Sequence, residues 1–333
     1  MGHRSLQAAP LGLLALPVLL VLAACGGAPG EAAEPAAGAG ADRPRVAVVP
    51  KGTTHTFWQS VRRGAEAAGD ELGVEVIWKA QLDEGDRAGQ IQVVQQLVGS
   101  GIDVLCLAPL DAQALVRPVA DARAAGVDVL IFDSALEGEA GTDFLGYVGT
   151  DNEAAGRLAA RALVEEMGGA GEVVVLRYRV GSASTEARER GFLAELAQHA
   201  GVEVLVEDRY AGATSSSAQT EALALLPKLR EADGVFCSQE SATVGMLLAL
   251  RREGLLDELA FVGFDASPPL VEGLRAGEID ALVVQDPARM GELSVRLAKQ
   301  HLDGAAVPPM TDTGCVVVRA DDLDDPRIAA LVE

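Results

Sequence analysis

Gly73-Val74-Glu75-Val76 returns 128 residues later as Gly201-Val202-Glu203-Val204. The echo is not isolated. Arg63-Gly64 comes back as Arg190-Gly191 at a spacing of 127, Cys106 as Cys237 at 131, and Phe132-Asp133-Ser134 as Phe264-Asp265-Ala266 at 132. Four matches in one order, with a spacing that grows slowly, describe drifted copies of one domain. The chain therefore reads as two similar lobes, the second beginning near Thr150.

Within each copy short runs of Val, Leu and Ile alternate with helical patterns. Strand candidates run from Arg45–Val49 through Val74–Trp78, Val104–Leu107, Val127–Phe132 and Phe144–Val148 to Glu172–Leu176, Val202–Val206, Gly234–Cys237, Ala260–Phe264, Ala281–Val284 and Cys315–Val318. They are continuously apolar rather than alternating, which suits strands covered on both faces of a parallel sheet. Helices are expected between them, among them Phe57–Leu72, Asp111–Ala124, Asn152–Met167, Ser184–Ala200, Ser216–Glu231 and Pro287–Leu302. This alternation is the signature of an α/β, doubly wound architecture. Open sheets of this type gather ligands beyond the carboxyl ends of their strands. Two lobes that face each other by those ends form a cleft, and polar residues just past the strands of both copies become candidates for its lining.

The beginning of the chain carries a different message. His3 and Arg4 precede an apolar run from Leu11 to Ala24, and Leu22-Ala23-Ala24 leads into Cys25-Gly26-Gly27. The run is shorter than the roughly 20 residues of a spanning helix, and its flanks are those of a removable leader. Residues 1–24 are read as a signal peptide, and residues 25–43, rich in Gly, Ala, Pro and Glu, as a flexible tether that cannot bury enough surface to fold. Lys and Arg number 27 against 49 Asp and Glu, a net charge of −22. That balance argues against nucleic acid and against an anionic membrane surface, both of which demand a basic footprint. Cys106, Cys237 and Cys315 lie in apolar strand-like runs without C-x-x-C spacing, so they read as free thiols rather than a disulfide framework.

Asp133 and Asp265 occupy matched strand ends, one per lobe. A carboxylate is an acceptor for adjacent hydroxyls, which suits a polyol, although turn and cap aspartates are also common after strands. His55-Thr56-Phe57-Trp58 follows the first strand in a chain with 4% aromatic residues. Aromatic faces pack on the C–H face of a sugar ring, and burial in the first lobe's core is the rival role; one of the two rings is expected to do each. Arg188 offers a fixed fork of donors to the two carboxylates, whereas Arg190 reads as an exposed helix arginine. Enzymatic motifs are not found: there is no G-x-G-x-x-G after a strand, no phosphate loop at Lys51-Gly52-Thr53, no G-x-S-x-G, and no His or Cys spacing for a metal.

These residues together resemble the periplasmic sugar-binding proteins of ribose-binding type, relatives of the ligand domains of lac-repressor-like regulators. The resemblance runs from about Arg45 to Arg319. It rests on Thr56-Phe57-Trp58, Phe132-Asp133, Thr150-Asp151-Asn152, Ala187-Arg188-Glu189-Arg190-Gly191-Phe192, Val262-Gly263-Phe264-Asp265 and Gln285-Asp286-Pro287. It implies a type I periplasmic binding protein fold: two lobes joined by a hinge with three crossovers. The lobes would be residues 44–149 with 286–313 and residues 150–285 with 314–333. It further implies stacking by Phe57 and Trp58 and hydrogen bonds from Asp133, Asn152, Arg188, Asp265 and Gln285, with Gln239 where the family commonly has asparagine. His55 and Ser134 stand where ribose binders carry asparagine and arginine, so ribose itself is not the expected ligand; another pentose or hexose, or a sugar-like signal molecule, is. The leader resembles a bacterial lipoprotein signal, with Cys25 acylated.

The expectation is thus a monomeric, lipid-anchored extracytoplasmic protein, with no cofactor and no bound metal, that closes over a small neutral sugar and hands it to the membrane subunits of an ABC permease. A sensory receptor feeding a kinase or chemoreceptor is the nearest rival, and a surface carbohydrate enzyme is a weaker one. A regulator's effector domain is disfavoured by the leader and by the missing DNA-binding headpiece.

Overall fold

The computed structural model describes residues 43–332. The leader, Cys25 and nearly all of the tether lie outside those residues. Twelve strands are described: β1 Arg45–Val49, β2 Glu75–Trp78, β3 Val104–Leu107, β4 Asp128–Phe132, β5 Tyr147–Gly149, β6 Gly171–Arg177, β7 Val202–Tyr210, β8 Gly234–Cys237, β9 Ala260–Phe264, β10 Ala281–Gln285, β11 Met310–Asp312 and β12 Cys315–Val318. They form two sheets of six, in the orders β11-β5-β4-β3-β1-β2 and β12-β10-β9-β8-β6-β7. Read from the far edge, the first five strands of each sheet correspond one to one. The sixth differs: β11 runs parallel to β5, whereas β12 runs antiparallel to β10.

Both faces of each sheet are covered, which is why the strands read as unbroken apolar runs. Along β1, Val46 and Val48 enter one apolar cluster with the helices Thr56–Leu72 and Pro287–Leu302, and Ala47 and Val49 enter another on the opposite face. The second sheet repeats this around β8, where Val235 and Cys237 face one cluster and Phe236 the other. Side chains such as Phe132, Phe236 and Phe264 are fully buried, each contributing on the order of 1.5–3 kcal/mol relative to exposure.

The chain passes between the sheets at Thr150–Asp151, at Asp286 and at Thr313–Gly314. Asp151 and Asp286 cap the helices that follow, accepting hydrogen bonds from Ala154 N at 3.0 Å and Arg289 N at 2.9 Å. The hinge strands are tied laterally: Thr150 Oγ1 donates to Gln285 Oε1 at 2.8 Å and Asp151 N to Asp312 Oδ1 at 3.2 Å.

The repeated Arg-Gly pair has a packing reason. A Cβ on Gly64 would collide with the Ala288 carbonyl, and one on Gly291 with the Val61 carbonyl; in the second lobe Gly191 meets Glu153 and Gly156 meets Arg188 in the same way. In each lobe, therefore, two helices cross backbone to backbone through a pair of glycines.

The structure departs from the sequence pattern in a few places. The helix expected from Asp111 begins at Val116, because the Asp111 carboxylate accepts from Gln113 N and Ala114 N and holds a turn ahead of it. Ser216–Glu231 is two helices, Ser215–Ala224 and Leu226–Leu229, since Pro227 lacks the N–H that would continue the first. The strand expected over Val202–Val206 runs on to Tyr210, following β6 with register shifts. Helix Pro268–Arg275, strand β11 and the C-terminal helix Pro326–Val332 were not expected.

Candidate functional site

The carboxyl ends of both sheets converge on one narrow pocket with about 330 Å³ of free space, counting the solvent at its mouth. His55, Phe57, Trp58, Asp133, Arg188, Gln239, Asp265 and Gln285 line it. Ser134 and Asn152 do not. They stand one layer behind: Ser134 Oγ accepts from Ser184 N of the other lobe at 3.1 Å, and Asn152 Oδ1 accepts from Arg188 Nε at 2.8 Å.

The matched aspartates share a backbone peculiarity. Asp133 and Asp265 have φ of 59° and 69°, and no other non-glycine among the described residues has a positive φ. Aspartate tolerates this region better than most residues, yet the conformation is uncommon and gathers at ligand sites. Each is held by the next strand, Asp133 N bonding Val148 O at 2.9 Å and Asp265 N bonding Val283 O at 2.8 Å. Past this sharp turn both aspartates line the cleft.

Their partners differ. Asp133 Oδ2 forms an ion pair with Lys51 Nζ at 2.8 Å, though that oxygen receives no directed hydrogen bond. Asp265 accepts from Gln285 Nε2 at 2.6 Å and from Glu240 N at 3.3 Å, and it lies 3.9 Å from Arg188. Burial pushes the Asp265 carboxyl up, against Arg188 and Gln285, which favour its charge; Asp133 across the cleft adds to the rise. Arg188 itself is immobilised. Its Nη1 donates to Ser238 O at 3.1 Å and its guanidinium lies 3.8 Å from the centre of the Phe264 ring.

Phe57 and Trp58 each line the pocket and each join the first lobe's core, so the expected division of labour between them does not occur. They meet edge to face with centroids 4.8 Å apart, and Trp58 Nε1 donates to Glu84 Oε1 at 2.6 Å. Glu84 is the hub of a network the sequence did not disclose. It also receives His55 Nδ1 at 2.8 Å and, from the second lobe, Tyr178 OH at 2.6 Å, while Arg179 Nη1 bonds its carbonyl. Burial works against both charges, but their mutual attraction wins: the His55 pKa is raised to about 9, and Glu84, helped also by Lys51 and Tyr178, falls to about 2. The Nδ1 proton of His55 thus belongs to Glu84. Gln239 Nε2, 3.2 Å from the same nitrogen, finds no acceptor there and stays available to a ligand, while its Oε1 caps the following helix through Ser241 N at 2.8 Å. Across the pocket Glu240 is pushed up to about 7, chiefly by burial, which the His55 charge opposes and Asp265 reinforces.

Lys51, Glu84, Tyr178, Ser184, Thr185 and Glu240 line the same pocket and were missed. Several were within reach of the repeat. Lys51 and Tyr178 are 127 residues apart, the spacing of Gly64 and Gly191, and the same step carries Phe57 to Ser184 and Trp58 to Thr185. Lys51 Nζ reaches Ser184 Oγ at 3.0 Å, so these equivalent loops meet across the cleft.

Comparison with known proteins agrees with this geometry. Residues 46–306 match the model of the periplasmic binding protein domain. The D-allose-binding periplasmic protein of Escherichia coli (strain K12) is 29% identical over 269 residues, covering 79% of this chain and 86% of that protein. A ribose import binding protein of Bacillus subtilis (strain 168) is 26% identical, covering 87% and 92%. Among solved structures, the periplasmic component of an ABC-type sugar transport system from Hahella chejuensis superposes with a TM-score of 0.78 at 39% identity, covering 83% of this chain and 99% of that one. A carbohydrate transporter solute binding protein from Agrobacterium radiobacter, in complex with D-arabinose, gives 0.83 at 31% identity, covering 88% and 99%. With its duplicated lobes, three crossings and interlobe pocket, the chain belongs to the periplasmic binding protein family.

Proposed function

We propose that this protein captures a small sugar between its lobes and delivers it to an ABC permease outside the cytoplasm. The observation that carries the reading is the pair of position-matched, positive-φ aspartates aimed into one pocket from opposite sheets, with Arg188 fixed between the second of them and Asn152. Hydroxyls of a pyranose or furanose would donate to Asp133 and Asp265 and accept from Arg188 and the free Gln239 amide. Phe57 and Trp58 would cover the apolar face of the ring. Ser134 and Asn152 would act through Ser184 and Arg188 rather than by contact.

The lobes supply these groups from both sides, so only the closed form offers all of them at once, and ligand binding favours closure for that reason. The relatives' names, sugar-binding and sugar-import proteins, support the substrate class and the permease as partner. No covalent step belongs to this reading, which is one of binding and release by a monomer. Segments 44–149 with 286–313 and 150–285 with 314–333 are the proposed lobes. Leu22-Ala23-Ala24-Cys25 supports removal of residues 1–24 and lipid attachment at Cys25, with the stretch to Arg43 as the tether. Isothermal titration of the folded part against pentoses, hexoses and inositols tests the reading, with Asp265→Ala beside the parent. A sugar bound by the parent and weakened at least a hundredfold by the substitution is the expected result; unchanged affinity would remove Asp265 from the site.

A further inference from the structure

A second cavity adjoins the first. It has about 990 Å³ of free space including the solvent at its mouth, and it shares His55 and Glu240 with the inner pocket. Its walls are the loops and helix starts that follow β1, β2, β7, β8 and β9. Two of these, β2 and β7, are the edge strands of their sheets, farthest from the crossings. The cavity therefore lies on the open side of the cleft, outward from the inner pocket.

Two polar groups in its wall are buried and have no partner. Ser267 is 3% exposed and its Oγ bonds nothing. The hydroxyl occupies the N-cap of the helix Pro268–Arg275, where it would normally accept from the second or third residue. Pro269 has no N–H to give, and Leu270 N is already committed to the Ser267 carbonyl at 2.9 Å. Glu240, 7% exposed, likewise leaves Oε2 without a donor. A buried polar atom with no partner is unfavourable, so each such atom asks for an explanation. Beside them Val244 and Pro269 form an apolar strip, and Thr54, Thr214 and Ser241 bring further oxygens. A carboxylate, several hydroxyls and a small apolar strip are the chemistry of a sugar subsite. The inner pocket is the narrower of the two.

We infer that the outer cavity is a second subsite that holds the further ring of a glycoside, its link passing between His55 and Glu240. Rotation of the Glu240 and Ser267 side chains brings their unpartnered Oε2 and Oγ, occluded in the free protein, onto hydroxyls of that ring, and the Val244–Pro269 strip covers its C–H face. The ligand class is then a disaccharide or other glycoside rather than a free monosaccharide alone. The inference rests on the sugar reading of the inner pocket.

The test is calorimetric titration with D-allose, D-arabinose, D-xylose and D-galactose alongside cellobiose, maltose, lactose, gentiobiose and trehalose. Ser215→Trp fills the outer cavity from its rim, and Ser267→Ala removes one hydroxyl while leaving space. At least one disaccharide binds the parent tenfold or more tightly than any monosaccharide. Ser215→Trp lowers that affinity at least tenfold and Ser267→Ala about three- to tenfold, both leaving monosaccharide binding within twofold. That unchanged binding also shows both variants folded. Monosaccharide binding without any disaccharide binding overturns the outer subsite and leaves the sugar reading intact. Equal loss of both ligand classes in Ser267→Ala overturns it as well. A parent that binds nothing in the panel removes the sugar reading, and the inference with it.

Discussion

The two lobes share a backbone but not a chemistry. Each has the same five-strand order, a positive-φ aspartate after the fourth strand of the chain's copy, and a glycine-mediated crossing of two helices. At equivalent positions past the first strand, however, the first lobe places Lys51, Phe57 and Trp58, and the second places Tyr178, Ser184 and Thr185. Arg188 lies 127 residues beyond Val61, which is buried in the first lobe's core. Packing thus preserved what both copies need in order to fold, while the facing surfaces diverged into one wall with aromatic rings and a charged network and another with hydroxyls and a clamped arginine.

Removing Glu84 is the strongest way to break this contrast, because the first lobe's network converges on it. Glu84→Ala leaves His55 in a buried site without its counter-charge, and leaves Tyr178 and Trp58 without an acceptor. Loss of one partner of a buried pair typically destabilises by about 3–5 kcal/mol. Urea unfolding at pH 7 should show a fall in that range; a change below about 1 kcal/mol would mean that the network is not an organising element of the first wall.

The walls also titrate differently. His55 is raised from 6.5 to about 9 and Glu84 lowered from 4.5 to about 2, so the stability they share is complete between pH 4.5 and 6.5 and is lost as pH rises through 9 or falls through 2; the 2.5-unit shift of His55 corresponds to about 3 kcal/mol. Glu240 in the second lobe is raised from 4.5 to about 7. Above pH 4.5 the unfolded chain releases that proton while the folded chain keeps it until about 7, so stability falls by a similar amount across that window. Glu240→Gln should flatten the stability profile between pH 4.5 and 7, and His55→Asn should flatten it between 6.5 and 9. A single variant that flattens both windows would show that the two groups titrate as one unit.

The glycine crossings sharpen the comparison by separating fold from site. Gly64→Ala and Gly156→Ala each force a Cβ against a carbonyl of the crossing helix, Ala288 in one lobe and Arg188 in the other. Overpacking of this kind destabilises by about 1–3 kcal/mol, and equal losses are expected in denaturant unfolding. Only Gly156→Ala also shifts the backbone that carries the clamped arginine. It should weaken ligand binding about tenfold or more, whereas Gly64→Ala should leave affinity unchanged.

These crossings show what was legible in the sequence and why. Arg63-Gly64 and Arg190-Gly191 stood out because backbone contact tolerates no side chain, so both copies kept the glycine; Phe132-Asp133 and Phe264-Asp265 persisted because the turn needs that backbone. The inner strands were legible because they are buried on both faces. Glu84 left no such mark, and Lys51 and Tyr178 are tied only by their 127-residue spacing, not by a shared residue type. Their contacts join residues such as Glu84 and Tyr178, 94 positions apart in chain and on opposite lobes, and no periodicity records a hydrogen bond across a cleft. Ser134 and Asn152 differ in the opposite sense: their positions match site residues of the resembled family, and here their side chains bond Ser184 N and Arg188 Nε. Helix Pro268–Arg275 was hidden by its opening prolines, which read as a loop although they are well placed at a helix start.

Asn152 offers the finest test of the asymmetry between lobes. The residue 135 positions on, at the matching helix start of the first lobe, is Pro287, which has no polar side chain to position anything. Asn152 Oδ1 accepts from Arg188 Nε, and its Nδ2 is anchored on Thr150 O at 3.0 Å, so the amide ties the arginine to the hinge. Asn152→Ala frees one edge of the guanidinium but leaves its bond to Ser238 O and its seat over Phe264. Affinity should therefore fall only about three- to tenfold, less than the full worth of a hydrogen bond to a charged donor because the other two contacts still hold the guanidinium, with stability changed by about 1 kcal/mol or less. Asn152→Asp restores the acceptor and should recover the orientation of Arg188, which the Nε–H resonance in a ¹⁵N spectrum reports directly. If Asp fails to bring that resonance back while the fold is intact, the hinge does not hold the arginine, and the second wall owes its rigidity to Phe264 and Ser238 alone.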